Sequence, residues 1–230
     1  MGRNHTSRAV AAAWIIAAAY AVACNVTTLR AQDYPVIVNS EDRPDPWIVN
    51  GCKIAPNTNC EGADLRHADL KNADLTGANL KGALLTRADL RHVNLSNADL
   101  AGANLEATKL QYAFLHGANL SGTVLRGADM TFARAVKANF SNADLSAATL
   151  EAAFLKSSNF LGAIFRSTDL QEAKLYQANL SNAVFDGTKI RFAIFQDAVM
   201  YGCTGCPQTW QYGDKQWEND KEKWEPAAGQ

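Results

Sequence analysis

From Leu65 to Met200 every fifth residue is Leu, Phe, Met or Ile, and Ala135 is the one departure in 28 consecutive slots. Two positions before each slot stands a small side chain, Ala in most pentads and otherwise Val93, Thr108, Thr123, Ser158, Thr168 or Thr188. A period of five fits neither regular element. A helix, at about 100° per residue, would scatter the large residues around its circumference, and a strand would flip them between faces because five is odd. The chain must therefore turn a corner once in every pentad.

A second column gives the number of corners. Two residues after the large apolar centre, every fourth pentad carries Gly82, Gly102, Gly122, Asn142, Gly162, Asn182 or Gly202, whereas Gly and Asn are a minority at this position in the other three columns. Both residues tolerate positive φ. One turn type is thus expected to recur at one corner in four, with four five-residue sides to a coil.

The run ADLRHADLKNADLTGANLKGALLTRADL resembles the A-(D/N)-L-X-X signature of the pentapeptide repeat proteins. The resemblance implies an all-β solenoid, a right-handed quadrilateral β-helix of about seven coils spanning residues 63–202 of the 230. Members of that family do unrelated things, so the resemblance speaks for the fold and not for a task.

Residues 1–31 have the layout of a signal peptide: Arg3 and Arg8 form a positive start, and Ala9 to Ala23 an apolar run too short for an ordinary membrane span. Cleavage is expected after Ala31, which removes Cys24 with the leader; a cut after Ala23 would instead leave Cys24 at the new N-terminus as a site for lipidation. Either way Cys52, Cys60, Cys203 and Cys206 remain, an even set that in an exported chain suggests two disulfides. Residues 32–62 read as a Pro-containing linker and an N-terminal cap, with Trp47 to Gly62 covering the first coil and a Cys52–Cys60 bridge stapling it. Residues 203–230 read as a second cap, with a Cys203–Cys206 bridge and a short helix whose Trp210, Trp217 and Trp224 lie near one face.

Residues twenty apart stack in such a coil, so outward columns can be read as surfaces. Asn79, Asp99, Asn119, Asn139, Asn159 and Asn179 form a polar ladder with a structural role. Asp69 and Asp89 are adjacent carboxylates on a solvated face. The column Asp74, Asn94, Phe114, Arg134, Phe154, Lys174, Ile194 differs, because Phe114, Arg134 and Phe154 could form an outward cation–π sandwich, with Tyr112, Phe132 and Phe192 around the preceding corner. These six residues form the candidate interaction patch, and the rival reading is stacking that merely stiffens the coil. Leu84, Val124, Ile164 and Val184 make a weaker patch on the opposite side.

Catalytic patterns are missing. His67, His92 and His116 fall in three different columns and cannot converge on one metal or nucleophile, and the sequence holds no G-x-S-x-G and no phosphate-binding glycine loop. No cofactor, nucleic acid or small-molecule substrate is expected. The leading expectation is an exported, non-catalytic structural or protein-interaction module of the bacterial envelope, periplasmic or extracellular. Its partner would be an unidentified envelope protein or a second copy, and membrane contact would follow only from lipidation at Cys24 or an uncleaved leader. Two alternatives are that envelope lipoprotein itself and a thiol oxidoreductase working through Cys203 and Cys206. A third follows from the resemblance, since some members of the family copy duplex DNA and protect gyrase from quinolones. Residues 63–202, however, carry thirteen acidic and fourteen basic side chains and lack the negative field of DNA.

Overall fold

The computed structural model describes residues 44–207. Parallel bridges link residues twenty apart, from Asn59↔Asn79 to Val184↔Thr204, so each coil consumes four pentads. Most sides pair through a single residue, the one just before the large centre. Regular strands are few: β1 (Ile48–Val49) and β2 (Cys52–Lys53) form an antiparallel hairpin, and β3 (Ile164–Arg166) and β4 (Val184–Asp186) pair in parallel, Phe165 beside Phe185.

Both inward positions of the pentad are filled as their chemistry demands. The centres from Leu65 to Leu180 and nearly all small residues between them are buried, and together they form one continuous core. Toward the C-terminal end the rings of Phe140, Phe160, Phe165 and Phe185 follow one another at 4.8, 5.3 and 4.7 Å. The buried hydroxyls are satisfied by carbonyls: Thr108 and Thr123 reach Leu105 and Leu120 of their own turns, while Ser158, Thr168 and Thr188 reach Ala135, Leu145 and Phe165.

The corners differ from the expectation. A positive φ recurs two residues after the centre in every pentad and not in one of four, and it is adopted by Tyr112 (59°), Lys137 (60°) and Glu172 (57°) as readily as by Gly82 (60°). At nearly every corner the N–H of the next small residue donates to the carbonyl of the centre, as Ala68 does to Leu65 at 3.2 Å. Positive φ at the third residue combined with this i→i+3 bond defines a type II turn. The Gly/Asn column therefore marks the corners where this turn costs least, and the other three pay a penalty of about 1–2 kcal/mol per non-glycine residue.

That penalty is offset by the backbone donors, all five of which find acceptors in a pentad with Asp or Asn before its centre. Taking the pentad of Leu90 as typical, Asp89 donates to Ala68 of the previous coil, Leu90 and His92 donate to Lys109 and Gln111 of the next, and Val93 closes the turn on Leu90. The fifth donor, on Arg91, is taken by the Asp89 side chain at 3.3 Å. The same Asx contact recurs from Arg66 on Asp64 to Ser181 on Asn179. This explains why Asp or Asn precedes so many of the centres: without that acceptor one N–H per pentad depends on water.

At Ala135 the missing side chain leaves the backbone unchanged. Ala135 donates to Phe154 at 2.8 Å, Ala138 closes the turn at 3.2 Å, and Lys137 keeps φ at 60°. No bulge forms at this slot.

The coil pattern also begins earlier than residue 63. Cys60 fills a centre slot at 4% exposure, its N–H donates to Asn79, and its carbonyl accepts from Ala63. Trp47 and Val49 pack on the core from the N-terminal side, whereas the Ile48 side chain is exposed. Cys52 is joined to Cys60 (Cα–Cα 5.3 Å) and Cys203 to Cys206 (5.9 Å). The leader, Cys24 and the Trp-bearing C-terminal helix lie outside the described residues.

Several of the Asx carboxylates are strongly tuned. The Arg66 side chain, followed by its backbone N–H, draws the exposed Asp64 carboxyl from 3.8 to about 2. Arg91 lowers Asp89 in the same way. At Asp99 burial acts upward, but the Ala101 N–H, Lys81 and Asn119 outweigh it and hold the group below its ordinary value. Lowered folded values mean that their stabilisation is present above the unfolded pKa and is lost as pH falls through the folded one. The melting temperature should accordingly show no carboxylate-driven change down to roughly pH 5 and fall between about pH 4 and 2, with the Asp89→Asn chain falling less steeply in circular dichroism melts. An equally steep fall in that variant would assign the acid sensitivity to other groups.

Candidate interaction surface

Outward aromatic rings are concentrated along one corner and the side that follows it. Tyr112, Phe114, Phe132 and Phe154 are 39–47% exposed although they border a tightly packed core. On the side, Phe114, Arg134, Phe154 and Lys174 occupy successive levels, each bridged to the next. They form two pairs, not one sandwich: the Arg134 guanidinium lies over Phe114 at 5.5 Å from its centroid, and Lys174 Nζ lies over Phe154 at 4.3 Å. Each cation leans toward the preceding coil, so each ring is covered by a different charge. Cation–π pairs at such exposed sites contribute about 0.5–1 kcal/mol.

Around the corner Tyr112 and Phe132 stack at 5.2 Å, and His92 extends the stack below Tyr112 at 5.0 Å with the planes 3° apart. Sequence reasoning weighs His92 only as a metal ligand or a nucleophile's partner and misses this stack; its place twenty residues before Tyr112 is the signal that could have found it. Phe192 shares the column but stands three coils beyond Phe132, about 14 Å at 4.8 Å per coil, and Arg191 lies over its ring at 4.7 Å. It is thus separate from the contiguous strip.

Tyr112, Phe132 and Phe192 all occupy the left-handed corner position, with φ of 57–60°. A bulky ring there carries the turn penalty that Gly or Asn would avoid. Stacking between neighbours returns about 0.5–1.5 kcal/mol per pair, so self-stacking roughly cancels the cost and leaves little net stability to account for these rings.

Elsewhere the polar columns are internally satisfied. Asn119 donates to Asp99, Asn139 to Asn119, Asn159 to Asn139 and Asn179 to Asn159, all at 3.0–3.1 Å. Asp69 and Asp89 bridge through their backbones, yet each carboxylate is paired with a cation two residues on, Lys71 at 3.3 Å and Arg91 at 2.7 Å. Such pairing suits a solvated face and not shared acid–base chemistry. Among the described residues no group of three or more His, Cys, Asp or Glu is placed to hold a metal ion. On the opposite side Leu84 is 39% exposed while Val124, Ile164 and Val184 are half-buried, a weaker surface than the aromatic strip.

A family model described as pentapeptide repeats matches residues 57–91, 88–127, 124–162, 143–182 and 163–204. Among solved structures, HetL from the cyanobacterium Nostoc, involved in heterocyst differentiation regulation, is 29% identical over 64% of this chain and 76% of its own, with a TM-score of 0.44. QnrB1, a plasmid-mediated fluoroquinolone resistance protein, is 22% identical over 65% of this chain and 80% of its own, with a TM-score of 0.45. The Nostoc protein alr5209 is 34% identical over 40% of this chain and 69% of its own, with a TM-score of 0.28. No curated protein matches the chain.

Proposed function

Because the chain belongs to the pentapeptide repeat family, whose members form right-handed quadrilateral β-helices, we propose that it acts as an exported, non-catalytic protein-interaction module of a bacterial envelope. The observation that carries this reading is the exposed aromatic strip of Tyr112, Phe114, Phe132 and Phe154. Rings placed at left-handed corners with little net gain in stability are better accounted for by a partner that buries them. The partner is an envelope protein or a second copy of the chain. Export rests on the leader-like residues 1–31 and is supported by the two joined cysteine pairs, which suit an oxidising compartment. Lipid attachment at Cys24 is the variant of this reading that a cut after Ala23 would produce. Gyrase binding through DNA mimicry is disfavoured by the near balance of thirteen acidic and fourteen basic side chains in residues 63–202.

Phe114→Ser with Phe154→Ser should abolish the dimer seen by light scattering, or the envelope protein retained in affinity capture, while the circular dichroism spectrum is kept. A few central residues usually carry most of the association energy, so the loss should be about 2 kcal/mol or more. A monomeric wild type whose captured proteins survive the double substitution would sink the docking reading. Cell fractionation with N-terminal sequencing tests export separately and reads the cut at Ala23 or Ala31 directly.

A further inference from the structure

Charge is nearly balanced over residues 63–202 but not evenly spread. The aromatic side, the corner after it and the asparagine-ladder side are built, in four successive coils, by residues 114–121, 134–141, 154–161 and 174–181. These four stretches contain no Asp or Glu and carry Arg134, Lys137, Lys156 and Lys174. With four of the fourteen basic side chains placed here, the rest of residues 63–202 holds thirteen acidic and ten basic ones. The block is positive and the remainder negative.

The cations of the block also differ in their pairing. Elsewhere Arg66, Lys71, Lys81, Arg91, Arg126 and Lys189 lie 2.6–3.8 Å from a carboxylate oxygen. Among the described residues Arg134, Lys137, Lys156 and Lys174 have no such partner, and all but the half-buried Lys174 are exposed. The rim holds Glu151, Glu172 and Arg191 on the preceding corner and Asp197 one coil past Gln177, so block and rim together keep five cations against three carboxylates. Further round the coil, Asp129 accepts from Gln111 at 2.6 Å and Asp169 is paired with Lys189 at 3.4 Å. Asp99, one coil before the block, is paired with Lys81 at 3.1 Å.

The rings narrow the class of partner. Arg134 and Lys174, each one coil on, cover faces of Phe114 and Phe154, and the Tyr112 and Phe132 planes lie 14° from parallel one coil apart. Ring faces thus look along the coil axis and ring edges look outward. A nucleic-acid base needs an open aromatic face on which to stack, and this surface does not offer one. Phe114 and Phe154 are also only 41% and 39% exposed, too sunken to act as wedges in a lipid layer. An outward ring edge is the positive side of the aromatic quadrupole and suits a carboxylate or carbonyl oxygen.

We propose that this block docks an acidic polypeptide, whose carboxylates pair with Arg134, Lys137, Lys156 and Lys174 and lie against the outer edges of Phe114 and Phe154; this rests on the reading of the strip as a docking surface and names the chemistry of the partner. Arg134 and Lys174 stand two coils apart, about 9.6 Å, with Lys156 at the level between them. An array of that length fits a run of carboxylates and not a single one.

Fluorescence anisotropy of the full chain with labelled poly-L-glutamate tests this, alongside oligo-thymidylate and phosphatidylglycerol vesicles. Lys137→Glu with Lys156→Glu should weaken poly-L-glutamate binding by about tenfold or more at low salt, because like charges brought together at a docking surface repel strongly. Arg87→Glu with Lys109→Glu changes the net charge equally at exposed sites on another face, and should leave binding within about twofold because distant exposed charges are screened. Lys137→Gln with Lys156→Gln adds no repulsion and should give a smaller loss, with the melting temperature of every variant kept. No binding by the wild type, or an equal loss in both charge-reversed chains, overturns the proposal. Tighter binding of oligo-thymidylate or vesicles, lost with the same lysine pair, assigns the block to a phosphate polyanion or a lipid surface and overturns it too. In affinity capture, a protein lost with Phe114→Ser, Phe154→Ser yet retained by the Lys137→Glu, Lys156→Glu chain would fell this proposal and leave the docking reading standing.

Discussion

Replacing Phe160 by Ala should lower the unfolding free energy by about 3–5 kcal/mol, the range for removing a buried aromatic side chain from a core that refills poorly. The expectation rests on where the ring sits. Phe160 is fully buried, stacked on Phe140 at 4.8 Å and tilted against Phe165 at 5.3 Å, and Phe165 in turn stacks on Phe185 at 4.7 Å. Refilling the space would require Phe140 or Phe165 to move, yet the corner of each is fixed by backbone bonds to the next coil. The change should appear as a lower thermal midpoint. Hydrogen exchange should place the loss in the coils flanking residue 160, because a solenoid transmits packing only to nearest neighbours. A cost below about 1 kcal/mol would show that the column closes around the gap, against the close packing assumed for it.

Asn139→Asp should be the more instructive of the isosteric substitutions. The Asn139 amide donates to Asn119 Oδ1 at 3.1 Å, while its own oxygen accepts from the Ser141 N–H at 3.1 Å and from Asn159 at 3.1 Å. A carboxylate keeps both acceptances and replaces the single donor by an oxygen facing an oxygen. Because the contact is part-buried, the deficit should be about 0.5–1.5 kcal/mol at neutral pH, the usual net worth of one hydrogen bond. The sign of its pH dependence is fixed: the protonated form can donate, so the folded state raises the pKa of the new carboxyl above the unfolded value. Relative stability should therefore be recovered below about pH 4 and lost as pH rises through the raised value. Urea titrations of both chains at pH 4 and pH 7 measure this, and a deficit independent of pH would show that the ladder bond contributes little.

The inward half of the fold was legible because it is written in volume. A large residue at Leu65, Leu70 and onward, with Ala63 and Ala68 between, has one arrangement that buries every member, and the exposures of these centres are at or near zero. The corners were legible only in part. Gly82 and Asn142 advertise positive φ, but Glu172 and Lys137 do not, and their backbone is imposed by the bonds above and below and not by local preference. The better signal was Asp or Asn before the centre, whose meaning appears once the Arg91 and Ser141 N–H groups are seen to need an acceptor. The strip was visible as a composition, but which cation covers which ring depends on the lean of Arg134 and Lys174, which a one-dimensional pattern does not encode. Partner identity lies further off still, because nothing in a periodic scaffold constrains what a surface column binds.

The asparagine ladder also has an electrical direction. Every amide from Asn119 to Asn179 points its N–H toward the lower-numbered coil, so the dipoles add head to tail along the axis and leave their positive end at Asp99. A carboxylate at that terminus sits where the summed field favours an anion, as an acidic residue does at the start of an α-helix. The same carboxylate at position 179 would face the negative end. The column is thereby oriented like a small electret, and its run of bonded amides ends at Asp99 because a carboxylate accepts from Asn119 and has no N–H to pass on toward Asn79.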